Sequence, residues 1–272
     1  MDGEFNDFEQ IAARSHNRLI NAPAKAGGYY QICKENIMFA AQIAGNQPFN
    51  DWFDPDTTQR HPLGFSVDAV DPFWGGGTFI YFKSGAAILK GSAVVLDEQF
   101  TGALLPSAVT QGFSFGIAMA PTASGFYGWM QVTGRAVYKT NATVAADGVM
   151  AIAAAGILGA TATGKQVIGI RNRKATTGTE TVTANTKTGS NALKCINGYD
   201  GLFLGMALSG TGIPASTVVA KLLPDGITVL MGASIGTADK VATAEGSITV
   251  TGTYTGYGSG IINNPSCLQI VA

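Results

Sequence analysis

The sequence predicts an all-β protein: a β-barrel or sandwich core with an N-terminal arm of short helices and extended segments, and a second, inserted β-rich domain. Three observations carry this expectation. From residue 64 to about residue 170 the chain reads as short runs of β-forming residues punctuated by Gly and Pro. Glycine contributes 36 of 272 residues, about twice the ordinary share. With 46% of residues hydrophobic, that glycine points to many turns and not to disorder.

Residues 1–60 form the arm. Phe5, Phe8, Ile11, Ala12 and Leu19 recur at spacings of three and four, which predicts a short amphipathic helix over 4–20, ended by Asn21-Ala22-Pro23. A second apolar segment covers 37–43. The stretch NQPFNDWFDPDTTQRHP that follows holds three prolines, so regular structure is not expected there. Its aromatics Phe49, Trp52 and Phe53 are the candidates for packing onto a neighbouring molecule.

Residues 61–174, closed by 260–272, are the expected barrel core, organised around the stretch HPLGFSVDAVDPFWGGGTFIYFK at 61–83. In its first strand Phe65, Val67 and Ala69 share one face while Ser66 and Asp68 take the other, a sheet with one wet side. In its second strand Phe79 and Tyr81 oppose Ile80 and Phe82. Both faces of that strand therefore need covering, by a second layer or by a neighbouring subunit. The connection carries Phe73 and Trp74 ahead of a glycine run, and these two join the candidate partner-contact residues. Further strands are expected over 86–96, 107–118, 127–137, 151–158 and 165–171.

Residues 175–259 are the expected inserted domain. Its first part, 175–191, is Thr-rich and nearly without large apolar groups, and reads as a linker or an exposed edge strand. Strands follow near 202–209, 217–222, 228–231 and 247–253, with Pro224-Asp225-Gly226 as a turn. The sequence GYGSG then reads as flexible, ahead of a closing strand over 261–271.

Charged residues are only 13% of the chain, against about 25% in an average soluble protein, and the formal net charge is −1. So little self-repulsion suits a protein that ends in an assembly. The best basic cluster, Arg171, Arg173 and Lys174, is too small for a nucleic-acid partner. The longest apolar run, 149–158, is about half of a membrane span, so no membrane is expected. Cys33, Cys195 and Cys267 are scattered and read as buried free thiols.

Motifs for chemistry are weak throughout. Residues 159–165 have the Gly and Lys spacing of a phosphate loop, but Gln166 stands where Ser or Thr would bind magnesium, and a strand follows in place of a helix. His16 and His61 are the only histidines and show no metal-ligand spacing, so surface or capping roles are expected. The acidic pairs Asp54/Asp56 and Asp68/Asp71 read as caps of local backbone sooner than as a glycosidase pair. No catalytic residue, cofactor or metal is assigned, and the chain is not expected to be an enzyme.

Two segments carry a resemblance. His61-Pro62-Leu63-Gly64, Ala69-Val70-Asp71-Pro72, Trp74-Gly75 and Phe79-Ile80-Tyr81, with Tyr127-Gly128-Trp129-Met130-Gln131-Val132-Thr133-Gly134-Arg135-Ala136-Val137, resemble the head decoration (cement) proteins of tailed double-stranded DNA bacteriophages. Met130 replaces the family's more usual aromatic. The stretch at 205–215 is similar to β-repeats of phage structural and tail proteins. The resemblance implies a non-enzymatic virion protein on the outer capsid surface, a homotrimer that bridges subunits of an HK97-type major capsid protein. The alternative reading is a tail or surface adhesin that binds host glycans through the inserted domain.

Overall fold

The computed structural model describes residues 54–71, 75–107, 114–141, 144–160, 165–199, 201–223 and 225–268. The helices expected over 4–20 and 37–43 lie outside the described residues, as do Phe49, Trp52, Phe53, Phe73 and Trp74. The described residues form seventeen strands and no helix. All-β architecture is therefore what the described residues adopt.

The first six strands are β1 (Ser66–Asp71), β2 (Gly75–Ser84), β3 (Ala93–Leu96), β4 (Thr101–Leu104), β5 (Gly116–Ala118) and β6 (Tyr127–Gln131), in the order β1-β2-β4-β3-β5-β6. A further antiparallel pairing of β2 with β6, Phe79↔Gln131 through Lys83↔Tyr127, brings this sheet back on itself. The alternation of β2 then makes physical sense. Phe82 packs inward with Val94, Ala118 and Met130, while Phe79 and Tyr81 pack on the other face with Val67, Ala69 and Trp129. Both apolar faces are thus covered within the chain.

Strands β7 (Thr133–Lys139), β8 (Val149–Ala154), β9 (Ile157–Ala160) and β10 (Gln166–Arg171) belong to a second sheet. The single strand expected over 151–158 is instead the hairpin β8–β9, turned at Ala155 and Gly156, because Gly156 takes the positive φ of +65° that a tight reversal uses. One face of this sheet packs Ala136, Tyr138, Met150, Ile152, Leu158, Val167 and Ile170 against Ala93, Leu105, Phe115 and Ile117 of the first sheet. That is a sandwich core.

The closed barrel is built further along the chain, from β11 (Thr177–Thr186), β12 (Ala192–Cys195), β13 (Ala207–Ser209), β14 (Thr217–Leu222), β15 (Thr228–Gly232) and β16 (Gly246–Thr255). Its order is β11-β12-β15-β14-β13-β16. The Thr-rich run expected to be a linker or edge is neither. It is β11, paired over its whole length with β16 and also with β12. The register explains the composition: Thr177, Thr179, Thr181 and Thr183 stand opposite Thr255, Thr253, Thr251 and Thr249. Cross-strand threonine pairs suit a solvated sheet face, while Val182 and Ala184 turn toward the barrel core.

The chain then returns. Strand β17 (Tyr257–Leu268) pairs with β7 from Tyr257↔Lys139 to Asn263↔Thr133, and with β10 from Ile170↔Ile262 to Gln166↔Leu268. This completes the second sheet in the order β7-β17-β10-β8-β9. Gly258 and Gly260 of GYGSG are therefore paired strand and not a flexible link, and Gly256 is the bend between β16 and β17. Gly258 and Gly260 are required by close approach, since a Cβ on Gly258 would lie 2.5 Å from the Tyr138 ring and 2.7 Å from Asn172 Oδ1.

Asn172 fixes the exit from this sheet toward the barrel. Fully buried, it accepts a hydrogen bond from the Tyr138 hydroxyl (3.0 Å) and donates to the carbonyls of Val144, Ala145 and Lys174. Asn172→Ala would leave these partners unsatisfied, a loss of about 1–3 kcal/mol for each buried polar group orphaned. We predict that Asn172→Ala and Gly258→Ala each lower the urea midpoint clearly, whereas Thr179→Val on the solvated ladder leaves it nearly unchanged.

Candidate interaction surface

No group of three or more His, Cys, Asp or Glu among the described residues could hold a metal ion. The acidic residues singled out in the sequence are tied down. Asp54 pairs with Lys221; Asp56 accepts from the Tyr81 hydroxyl at 2.9 Å and pairs with Arg60 at 2.9 Å; Asp68 accepts from the Thr78 hydroxyl at 2.6 Å. These are links between side chains and not the caps of local backbone that were expected. The side chain of Asp71 lies outside the described residues.

His61 departs from expectation too. It stacks on Phe65 (centroids 5.6 Å apart) and meets the rings of Tyr81 and Trp129 at 5.1 and 5.3 Å. Desolvation in this aromatic setting lowers its pKa, with Asp56 opposing and Arg60 reinforcing the shift. Its place is structural, on the outer face of the β2–β6 pair. Asp225, by contrast, caps as the turn chemistry predicts, accepting from the amides of Ile227 and Thr228 at 3.0 and 2.8 Å. Cys195 is a buried free thiol, its pKa pushed up to about 11 by burial and by the charge of Asp225. Of the phosphate-like loop, 161–164 lie outside the described residues, and β10 begins at Gln166 with no helix after it.

The barrel meets the sandwich at a buried lysine that no sequence pattern marks. Lys90, only 5% exposed, donates to the Leu204 carbonyl at 2.8 Å, and its Nζ lies 4.4 Å from the Phe203 ring centroid and 5.6 Å from that of Tyr257. A shallow cleft beside it, lined by Lys174, Glu180, Phe203, Tyr254 and Tyr257, has room only for a water-sized guest. That is a packing junction, too small for a substrate.

What remains is surface. The second sheet turns one face to the sandwich core; the barrel covers one end of its other face, where Val137 and Tyr257 pack against the barrel core. The rest is open. Val149, Ile168 and Ile261 are 41%, 47% and 62% exposed there. The register places them among cations: Val149 pairs with Arg171, and Ile261 pairs with Arg135. Because Ile170 pairs with Ile262, Arg171 sits beside Ile261, so Val149, Arg171, Ile261 and Arg135 form one row across β8, β10, β17 and β7. A bulge at Gly169 (φ +75°) keeps Ile168 and Arg171 on the same face although they are three residues apart. Sequence reading found Arg171 but not its neighbours, because Arg135 and Ile261 come from strands far apart in the chain.

No protein-family model matches the chain, and no curated protein and no solved structure matches it either.

Burial lowers the pKa of Lys90 well below the lysine range. The unfolded chain, with an ordinary lysine near pH ~10.4, then binds more protons than the folded one at intermediate pH, so stability rises with pH. The tyrosines act oppositely but only near and above pH ~10, their ordinary range. We predict that thermal stability of the native protein climbs from neutrality toward the tyrosine range and that Lys90→Met flattens this climb, as read by calorimetry across that window.

Proposed function

We propose that this chain is a structural, non-enzymatic virion protein that decorates the outer surface of a tailed-phage capsid. It would bridge and stabilise subunits of an HK97-type major capsid protein, as a homotrimer. The observation that carries the reading is the placement of the two segments that resemble decoration proteins. Separated by about fifty residues in sequence, they pair directly as β1–β2 and β6, with Phe79, Tyr81 and Trp129 in one buried cluster next to His61. The described residues among those that recur together in that family are here parts of a single packed unit.

The physical character of the molecule supports the same reading. Charge is sparse, the described carboxylates of interest are engaged in structural contacts, and an open sheet face offers apolar side chains beside arginines. Binding by surface needs area and anchors of this kind, not a reactive centre.

The glycan-adhesin alternative draws less support. Aromatic rings for sugar stacking would have to come from Phe203, Tyr254 and Tyr257, but these pack edge or tilt against one another at 5.4 Å. Phe203 and Tyr257 also receive Lys90.

The test is to remove the protein from particles and follow their opening on heating. Stripped particles are expected to open at a lower temperature and to regain wild-type resistance when purified protein is added back. Equal resistance with and without the protein, together with no rebinding, would contradict the assignment.

A further inference from the structure

Resting on the decoration reading, we infer that the open face of the second sheet is the docking surface, and that its partner is a protein surface carrying carboxylates among apolar side chains. The charge pattern selects that partner. None of the five strands β7, β8, β9, β10 and β17 contains a single Asp or Glu, whereas they contribute Arg171 and Arg135 to the row, and Lys139, opposite Tyr257, at the end that the barrel covers. In a chain of net charge −1 with eighteen acidic residues, the strands of this sheet thus have a cationic bias, and Asp147 just ahead of β8 is held by Arg173. Such a bias attracts anionic groups and repels cationic ones.

The kind of anion follows from what surrounds the arginines. Ile261 stands between Arg171 and Arg135 in the row, with Val149 at its end and Ile168 nearby, so the cations are embedded in apolar surface. Arginine with exposed aliphatic residues is the composition of a protein–protein contact, where the planar guanidinium takes a carboxylate in two parallel hydrogen bonds. A phosphate backbone would call for a track of Lys and Arg without large apolar groups at its centre. Two arginines about an isoleucine do not make one.

The face is also rigid. Arg135, Ile261 and Arg171 project from three hydrogen-bonded strands in the middle and edge of one sheet, and Arg173 continues the ladder, its amide donating to the Ser259 carbonyl at 2.7 Å while its guanidinium pairs with Asp147. Side chains held on a ladder lose little freedom on docking, which favours affinity. The barrel bounds the face on one side through Val137 and Tyr257, giving the partner a step to seat against.

The experiment uses full-length protein and particles stripped of it, with wild type as the control, and measures occupancy after rebinding. Arg171→Glu, Arg135→Glu and Ile261→Asp are compared with Asp239→Lys and Thr179→Lys on the barrel exterior. Each face variant is expected to lose affinity by about tenfold or more, the scale of a central interface anchor, while the barrel variants bind as wild type. Wild-type binding should also weaken with added salt, less so for Arg171→Glu. Far-ultraviolet dichroism and melting temperature serve to show that each variant is folded; Arg171→Lys, which keeps charge and fold but not the paired hydrogen bonds, gives an intermediate loss.

Wild-type binding with unaffected face variants would overturn the assignment of this face while leaving the decoration reading in place. Failure of the wild type to bind particles would overturn both. Loss of binding that tracks loss of an oligomer of this chain would assign the face to contacts between copies and overturn the proposed partner. Binding competed by duplex DNA and not by acidic protein would overturn the carboxylate chemistry.

Discussion

The pairing of β17 with β7 and β10 is the contact on which the structure depends. It joins residues 257–268 to strands that precede the whole barrel in sequence, so the chain leaves the second sheet at Asn172 and re-enters it at Tyr257. Without that return strand, Ile262 would be missing from the sandwich core and β7 would lose its main partner. The barrel would then hang from a single strand exit. Close approach enforces the pairing: Gly258 and Gly260 lie against Tyr138 and the Arg171 carbonyl so tightly that side chains there have no space.

The same strand creates the molecule's most distinctive surface. Only because Ile261 is laid between Arg135 and Arg171 do residues far apart in the chain become one row of alternating apolar and cationic groups. Fold and surface thus have one origin. The interior face of β17 contributes to stability through Ile262, and the exterior face presents Ile261 to solvent, as the two-residue period of a strand dictates.

Much of the local structure was legible in the sequence, and for identifiable reasons. Strong alternation, as in Phe79 through Phe82 and in Tyr127 through Val132, revealed both the strands and which residues face each other's clusters. Turn chemistry located the reversal at Asp225-Gly226, where the structure shows Asp225 capping the amides of Ile227 and Thr228. What could not be read was pairing. A Thr-rich run without large apolar residues looks like a linker until its partner strand, equally rich in Thr, is known. Glycines in GYGSG look flexible until the ring of Tyr138 and the Asn172 amide are seen to require them. Lys90 gave no signal at all, since its carbonyl and ring partners lie over a hundred positions later in the chain. The arm and hairpin aromatics proposed as anchors, Phe49, Trp52, Phe53, Phe73 and Trp74, lie outside the described residues.

This protein is proposed to act by laying the open face of its second sheet against a partner. Hydroxyl-radical footprinting of free and particle-bound protein tests it most directly, because side-chain oxidation reports solvent access residue by residue. Labelling of Ile261 and Ile168 is expected to fall sharply on binding while that of Leu89 and Val241 does not. Equal labelling of Ile261 and Ile168 in the free and bound states would contradict it.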